Sequence, residues 1–232
     1  MPDMLEVAGV NQYYGGSHTL WDVTLGLPAG DCLCLMGRNG VGKTTLLKVI
    51  MGLVPRASGT ITFDGQALPV SRADHRARAG IGYVPQGREI FPDLTVEENL
   101  RLGLGVRRAR TIPERVVGLF PALGRMMRRR GGDLSGGQQQ QLAIGRALAL
   151  EPKLLILDEP TEGIQPNIVH EIGDVIIRLN ADHGLTVLMV EQKLPFARRV
   201  ARTFCIVDRG RPVASGPVTA LTDELVQRHL VV

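Results

Sequence analysis

Two kinds of apolar pattern divide this chain. Toward the amino terminus the segments LEVAGVNQYY, DVTLGL and TITFDG are short and β-rich, and the last closes on Asp64-Gly65, so they predict antiparallel strands of a small side sheet. Further on, CLCLM, IGYV, LLILD, TVLMV and TFCIV are unbroken apolar runs, the composition of strands covered on both faces. Stretches of helical periodicity separate these runs, and that alternation predicts a parallel α/β core. Between Gln86 and Leu134 the strand-like runs stop, and helical segments such as TVEENLRLGL and IPERVVGLF take over. The expected organisation is a single domain over 1–232, with core and side sheet at about 1–86 and 150–232 and an inserted helical subdomain at about 87–149.

The longest apolar runs, such as LTVLMV, fall far short of the roughly 18 residues that span a bilayer, and the start MPDMLEVAGV has no basic stretch leading into an apolar one. The chain is therefore expected to be neither secreted nor inserted. With 44% hydrophobic and 22% charged residues over 232 positions, it can bury a sizeable core and falls outside the disordered and collagen-like classes. A net charge of +4 does not by itself call for nucleic acid. Arginines do cluster, at Arg107, Arg108 and Arg110, at Arg125 with Arg128, Arg129 and Arg130, and at Arg198, Arg199 and Arg202. Such clusters read first as solvated helical faces, with lipid headgroups, a partner or nucleic acid as the remaining uses. Cys32, Cys34 and Cys205 sit inside strand-like runs and read as buried thiols of a reducing compartment. His18, His75, His170, His183 and His229 are scattered without metal-ligand spacing, so no structural metal is expected.

The chemistry concentrates in three places. Gly37-Arg38-Asn39-Gly40-Val41-Gly42-Lys43-Thr44 fits GxxxxGK[ST], follows the strand candidate CLCLM and precedes the helical stretch TTLLKVIMG, which is the context this motif requires. Its glycines let backbone N–H groups turn inward around phosphates, and the start of the following helix favours the anion. Lys43 can reach the β- and γ-phosphates of a nucleotide, Thr44 can offer its hydroxyl to Mg²⁺, and Thr45 joins the cradle. Downstream, LLILDEP puts Asp158 and Glu159 at the carboxyl end of an apolar strand, where ligands lie in open α/β sheets. There Asp158 would hold Mg²⁺ through its water shell, and Glu159 would act as general base on the attacking water.

Between these two lies Leu134-Ser135-Gly136-Gly137-Gln138, ahead of the helical QQQLAIGRALAL. Small residues at a helix start again suit an anion. A phosphate loop, LSGGQ and a strand-borne Asp-Glu in this order resemble the ABC ATPase family over nearly the whole chain. The resemblance implies a P-loop NTPase core with an antiparallel side sheet, ATP and Mg²⁺ as cofactors, and ATP hydrolysis to ADP and phosphate. It also implies a head-to-tail dimer, homomeric or heteromeric, in which Ser135, Gly136, Gly137 and Gln138 close over ATP held by Lys43 of a second subunit. Tyr14 resembles the aromatic that stacks on adenine, although adjacent Tyr13 leaves the choice open. Gln86 resembles the glutamine that touches Mg²⁺ and the attacking water, and GREIFPDLTVEENL behind it would face membrane permease subunits.

Two positions depart from the family pattern. VLMVEQK puts Gln192 where a histidine is usual, and TEGIQPN puts Gln165 where many members carry an aspartate at the dimer seam. Gln192 can still donate a hydrogen bond to the γ-phosphate but carries no proton or charge at neutral pH. These departures, with GREIFPDLTVEENL and DEPTEGIQP, are similar to the subgroup serving branched-chain amino acid and related importers. Within it, NQYYGGSH, GRNGVGKTTLLK, VPQGREIF and TEGIQP most resemble the ATPase subunit of urea importers. The implied function is an importer ATPase at the cytoplasmic face of the cell membrane, for urea or else for branched-chain amino acids or short amides. A periplasmic or extracellular solute-binding protein would be an indirect partner, with no nucleic acid expected. More distant readings are a soluble ABC ATPase acting on nucleic acid or ribosomes, and a non-catalytic nucleotide sensor.

Overall fold

The computed structural model describes residues 3–106 and 109–230; Arg107 and Arg108 of the first arginine cluster, and the last two residues of the tail, lie outside them. Two sheets organise the chain. The side sheet contains β1 (Asp3–Tyr14), β2 (Ser17–Pro28), β4 (Ser58–Phe63) and β5 (Gln66–Ala67) in the order β2-β1-β4-β5, paired antiparallel throughout. Asp64 and Gly65 join β4 to β5 with φ 49° and 74°. Two positive φ values in a two-residue loop are what a tight hairpin with native strand twist needs, and Asp-Gly supplies them at low strain.

The core sheet runs β10-β9-β3-β8-β7-β6. Its strands β3 (Cys32–Met36), β6 (Ile81–Val84), β7 (Leu154–Asp158), β8 (Thr186–Val190) and β9 (Thr203–Asp208) are parallel, as the five apolar runs predict. Alternation along these strands feeds two apolar clusters. Cys32, Cys34 and Met36 join Leu155, Leu157, Val187 and Met189 on one face, under α6 (Gly136–Ala149), α7 (Pro166–His183) and α8 (Leu194–Val200). Leu33 and Leu35 join Leu154, Ile156, Leu188 and Val190 on the other, under α1 (Lys43–Ile50) and the inner face of the side sheet. Each such residue, buried completely, stabilises the fold by about 1.5–3 kcal/mol relative to exposure. The three cysteines are buried and free, as expected, and burial is the main reason their thiols are raised, Cys32 to about 12 and Cys205 to about 11.

Strand β10 (Arg211–Pro217) was not expected. It pairs antiparallel with β9 at the sheet edge, and an edge is where Pro212 and Pro217 can sit in a strand without breaking a ladder. Between β6 and β7 the chain is helical, through α3 (Val96–Leu104), α4 (Glu114–Leu119), α5 (Pro121–Gly124) and α6. Thr95 and Glu98 cap α3 reciprocally, so TVEENL starts its helix at Val96. Leu100, Val116 and Leu123 of this segment enter the first apolar cluster with Leu142 and Ile144 of α6. At the carboxyl end α9 (Asp223–His229) is capped by Thr222 and leans Leu225 and Val226 on the same cluster. No helix among the described residues is long and apolar enough to cross a membrane.

Candidate functional site

Strand β3 ends at Met36, and the chain turns at once. Gly37 has φ 147°, and a Cβ there would lie 2.3 Å from the Val207 carbonyl oxygen, so no larger residue fits. Gly42, at φ 106°, is the N-cap of α1 and provides no side chain to satisfy its first N–H groups. Those donors open on a cavity of about 600 Å³ bounded by Lys43, Thr44, Thr45, Glu159 and Gln192, and they suit an anion. Lys43, 5% exposed, donates from Nζ to the carbonyls of Gly37 and Arg38, each at 2.7 Å, which holds the ammonium over the loop. Burial lowers its pKa, against the pull of Glu159 and Asp158. Gly40 and Asn39 are exposed on the loop, while half-buried Val41 packs on the second apolar cluster and accepts from Gly210 N–H through its carbonyl.

Asp158 closes β7 behind Thr44, whose hydroxyl donates to Oδ1 at 3.3 Å. The other oxygen, Oδ2, is buried and has no hydrogen-bond partner. A lone buried carboxylate oxygen beside a threonine hydroxyl is a donor set of the oxygen-only kind that suits Mg²⁺, so these residues fit the ion. Burial, reinforced by Glu159 and opposed by the Thr44 hydroxyl and Lys43, pushes the Asp158 carboxyl up to about 6. The folded chain therefore holds this proton more tightly than the unfolded chain, and stability is lost as pH rises from about 4 to about 6. At pH 7 the ionised group costs the folded state on the order of 3 kcal/mol. Asp158→Asn is accordingly expected to raise the unfolding free energy of the nucleotide-free protein at pH 7.5. The advantage should shrink as pH falls through 6 towards 4, which urea unfolding at several pH values would measure.

Glu159 follows with φ 49° and gives its N–H to the Val190 carbonyl, a left-handed backbone that turns its side chain into the cavity. Its Oε1 accepts from Gln192 Nε2 at 2.5 Å, and the same Nε2 donates to Asn39 Oδ1 at 2.8 Å. Gln86, two residues beyond β6, also lines the cavity and donates to Glu162 at 2.9 Å. Tyr14 stands exposed near the tip of the β1–β2 hairpin. Tyr13 is occupied by a stack on His18 at 4.1 Å, itself stacked on Trp21 at 3.6 Å, which leaves Tyr14 the freer ring. The hairpin abuts the loop, since a Cβ on Gly42 would meet Leu20 at 3.0 Å.

Ser135, Gly136, Gly137 and Gln138 lie outside this cavity. Ser135 caps α6, and Gln138 returns the bond to the Ser135 N–H at 3.0 Å. Gly137 packs where a Cβ would touch Ile168 at 2.9 Å, and Gly136 faces the Arg88 guanidinium. Gln165 caps α7 without a side-chain bond. Aspartate there would accept from that helix start, so Gln165→Asp is expected to raise stability by about 1 kcal/mol in a urea titration.

Residues not singled out from sequence complete the arrangement. Glu191, 3% exposed, accepts from the Thr161 hydroxyl at 2.7 Å and from the N–H groups of Gln192 and Lys193 at 2.8 and 2.9 Å. Lys193 donates to the Thr161 carbonyl at 2.8 Å. Arg88, at φ 71°, reaches Gln139 and the Glu162 carbonyl, tying the helical segment to the strand-end loop. The arginine clusters pair locally in part, Arg198 with Asp223 and Arg199 with Asp174.

The ABC transporter family profile matches residues 20–162, from the side sheet through both carboxylates. The chain belongs to the ABC transporter family. It is 39% identical over 221 residues to the high-affinity branched-chain amino acid transport ATP-binding protein BraG of Pseudomonas aeruginosa, covering 94% of each. It is 34% identical to the probable branched-chain amino acid transport ATP-binding protein LivF of Archaeoglobus fulgidus, covering 95% of this chain and 94% of that one. A dimeric ATP-binding cassette in a post-hydrolysis state with ADP and phosphate superposes with a TM-score of 0.83 at 26% identity, covering 93% of this chain and 99% of that one. The antiparallel side sheet beside a mostly parallel core is the ABC ATPase fold. As an ABC ATPase the chain binds ATP and hydrolyses it in a transport-coupled cycle.

Proposed function

We propose that this ABC ATPase drives an importer of branched-chain amino acids, working as a head-to-tail pair at the cytoplasmic face against membrane permease subunits. The observation that carries the pairing is the separation of the two anion-binding helix starts. Gly42 opens on the cavity, whereas Ser135 caps a helix outside it, so a nucleotide in the cavity of one chain needs the Ser135 turn of another. The amino-acid reading is supported by what BraG and LivF are named for.

In this reading the loop N–H groups and Lys43 bind the triphosphate, Tyr14 stacks on the base, and the attacking water loses its proton to Glu159. Thr44, Gln86 and Asp158 would hold Mg²⁺, Asp158 through the ion's water shell, and the ion would neutralise charge on the β- and γ-phosphates. Gln192 donates to the γ-phosphate. Because glutamine does not titrate, the activity profile is expected to lack an inflection near roughly pH 6.5 from this position, and Gln192→His should introduce one. Identical profiles would remove Gln192 from the phosphate. Segment 87–149 moves as the helical unit bearing the Ser135 turn, and 87–100 meets the permease.

Urea remains a second reading, favoured by the combination NQYYGGSH, VPQGREIF and TEGIQP. Uptake of labelled leucine and of labelled urea by a deletion strain, complemented with wild type or Glu159→Gln, separates the two. Loss of leucine entry alone supports the amino-acid assignment, and loss of urea entry alone overturns it.

A further inference from the structure

The Gln192 amide has two N–H bonds and two acceptors for them, Glu159 Oε1 at 2.5 Å and Asn39 Oδ1 at 2.8 Å. Turning the amide over would set its carbonyl against the Glu159 carboxylate, so electrostatics fixes which way it points. Its backbone is anchored as well, because buried Glu191 accepts the N–H groups of both Gln192 and Lys193. One N–H is thus committed to Glu159, and the other already points at the phosphate loop. The acceptor it finds there is the side chain of a loop residue beside the cradle.

We propose that Asn39 is a positioning residue for hydrolysis, its side-chain carbonyl standing in for a terminal phosphate oxygen of ATP and keeping Gln192 in the bridging pose before nucleotide arrives. A phosphate oxygen is a charged acceptor and the Asn39 amide a neutral one, so the nucleotide displaces Asn39 rather than Glu159. After the exchange Gln192 links Glu159 to the γ-phosphate through one nitrogen. The base and the phosphorus it serves are then held in one frame without the side chain having to search for it. A histidine, with at most one N–H on each ring nitrogen and only one in all when neutral, could not make both contacts from one atom.

The inference rests on the role given above to Glu159 and is tested by a double-mutant cycle. Asn39→Ala is expected to lower kcat/KM about fivefold to tenfold, the scale of one hydrogen bond, through KM, with kcat changed less than about twofold because ATP has already displaced Asn39 in the bound complex. In a Gln192→Ala background the same substitution should change kcat/KM by less than about twofold, because Asn39 acts through Gln192. In nucleotide-free protein labelled with ¹⁵N, the Gln192 side-chain amide resonances should shift in Asn39→Ala. They should stay near their wild-type positions in Asn39→Asp, which keeps an acceptor but raises KM by repelling phosphate. Multiplicative losses in the double variant, or an unmoved Gln192 amide signal in Asn39→Ala, would overturn the assignment. If instead Glu159→Gln turned over ATP normally, the role of Glu159 would fail first, and the cycle would still report whether Asn39 and Gln192 are coupled.

Discussion

Glu159→Gln is expected to stop turnover while leaving nucleotide capture intact. General-base removal costs about 10²–10⁴ in rate, and here it acts at a single carboxylate that faces the cavity from a left-handed backbone position. Glutamine keeps the shape and keeps a carbonyl to accept from Gln192, so the loop, the cradle and the fold are undisturbed. Steady-state phosphate release should fall about a thousandfold, with ATP affinity within a few-fold of wild type. Because ATP then persists, paired chains should accumulate, seen as a shift to twice the monomer mass by light scattering with ATP and not with ADP. Normal phosphate release would take the base role from Glu159. Retained binding without pairing would break the head-to-tail arrangement, with the Ser135 turn of one chain left without a nucleotide to close on.

The parallel core and side sheet were legible because each leaves a different trace in the chain. A strand buried on both faces needs apolar residues at every position, and CLCLM, LLILD and TVLMV show that directly, while alternation decides only which face each residue serves. The phosphate loop was legible for a related reason, since backbone geometry at Gly37 and Gly42 tolerates nothing larger. Strand β10 was not, because Pro212, Gly216 and Pro217 break the pattern that its edge position permits. Glu191 and Arg88 were missed because their work lies in contacts made across the fold, with Thr161 and with Gln139 and Glu162, and local sequence carries no sign of a distant acceptor. Gln192 was legible as a departure from a pattern, yet its bond to Asn39 spans 153 positions and needed coordinates.

The site is also built against stability. A buried carboxylate raised to about 6, with one oxygen lacking any partner, and a buried ammonium lowered by its surroundings are strained as charges until a polyanion and a cation arrive. Ligand binding then returns stability by mass action, so ATP with Mg²⁺ should raise Tm more than either alone.

Lys43→Ala tests the other half of this pairing and should act on binding itself. Its ammonium is held between the Gly37 and Arg38 carbonyls of the loop, where a hydrogen bond to a charged group contributes about 1.5–3 kcal/mol. Removing it should weaken ATP binding by roughly tenfold to more than a hundredfold, read by fluorescence titration with a labelled nucleotide. Nucleotide-free stability should change far less, because the variant also removes a buried charge whose desolvation opposes those bonds. Lys43→Arg is expected not to restore binding, since a planar fork does not match the space of a compact ammonium seated between two carbonyls. Unchanged affinity in Lys43→Ala would leave the loop as a turn without a phosphate. A fall in affinity matched by an equal fall in stability would assign Lys43 to holding the loop together rather than to holding the nucleotide.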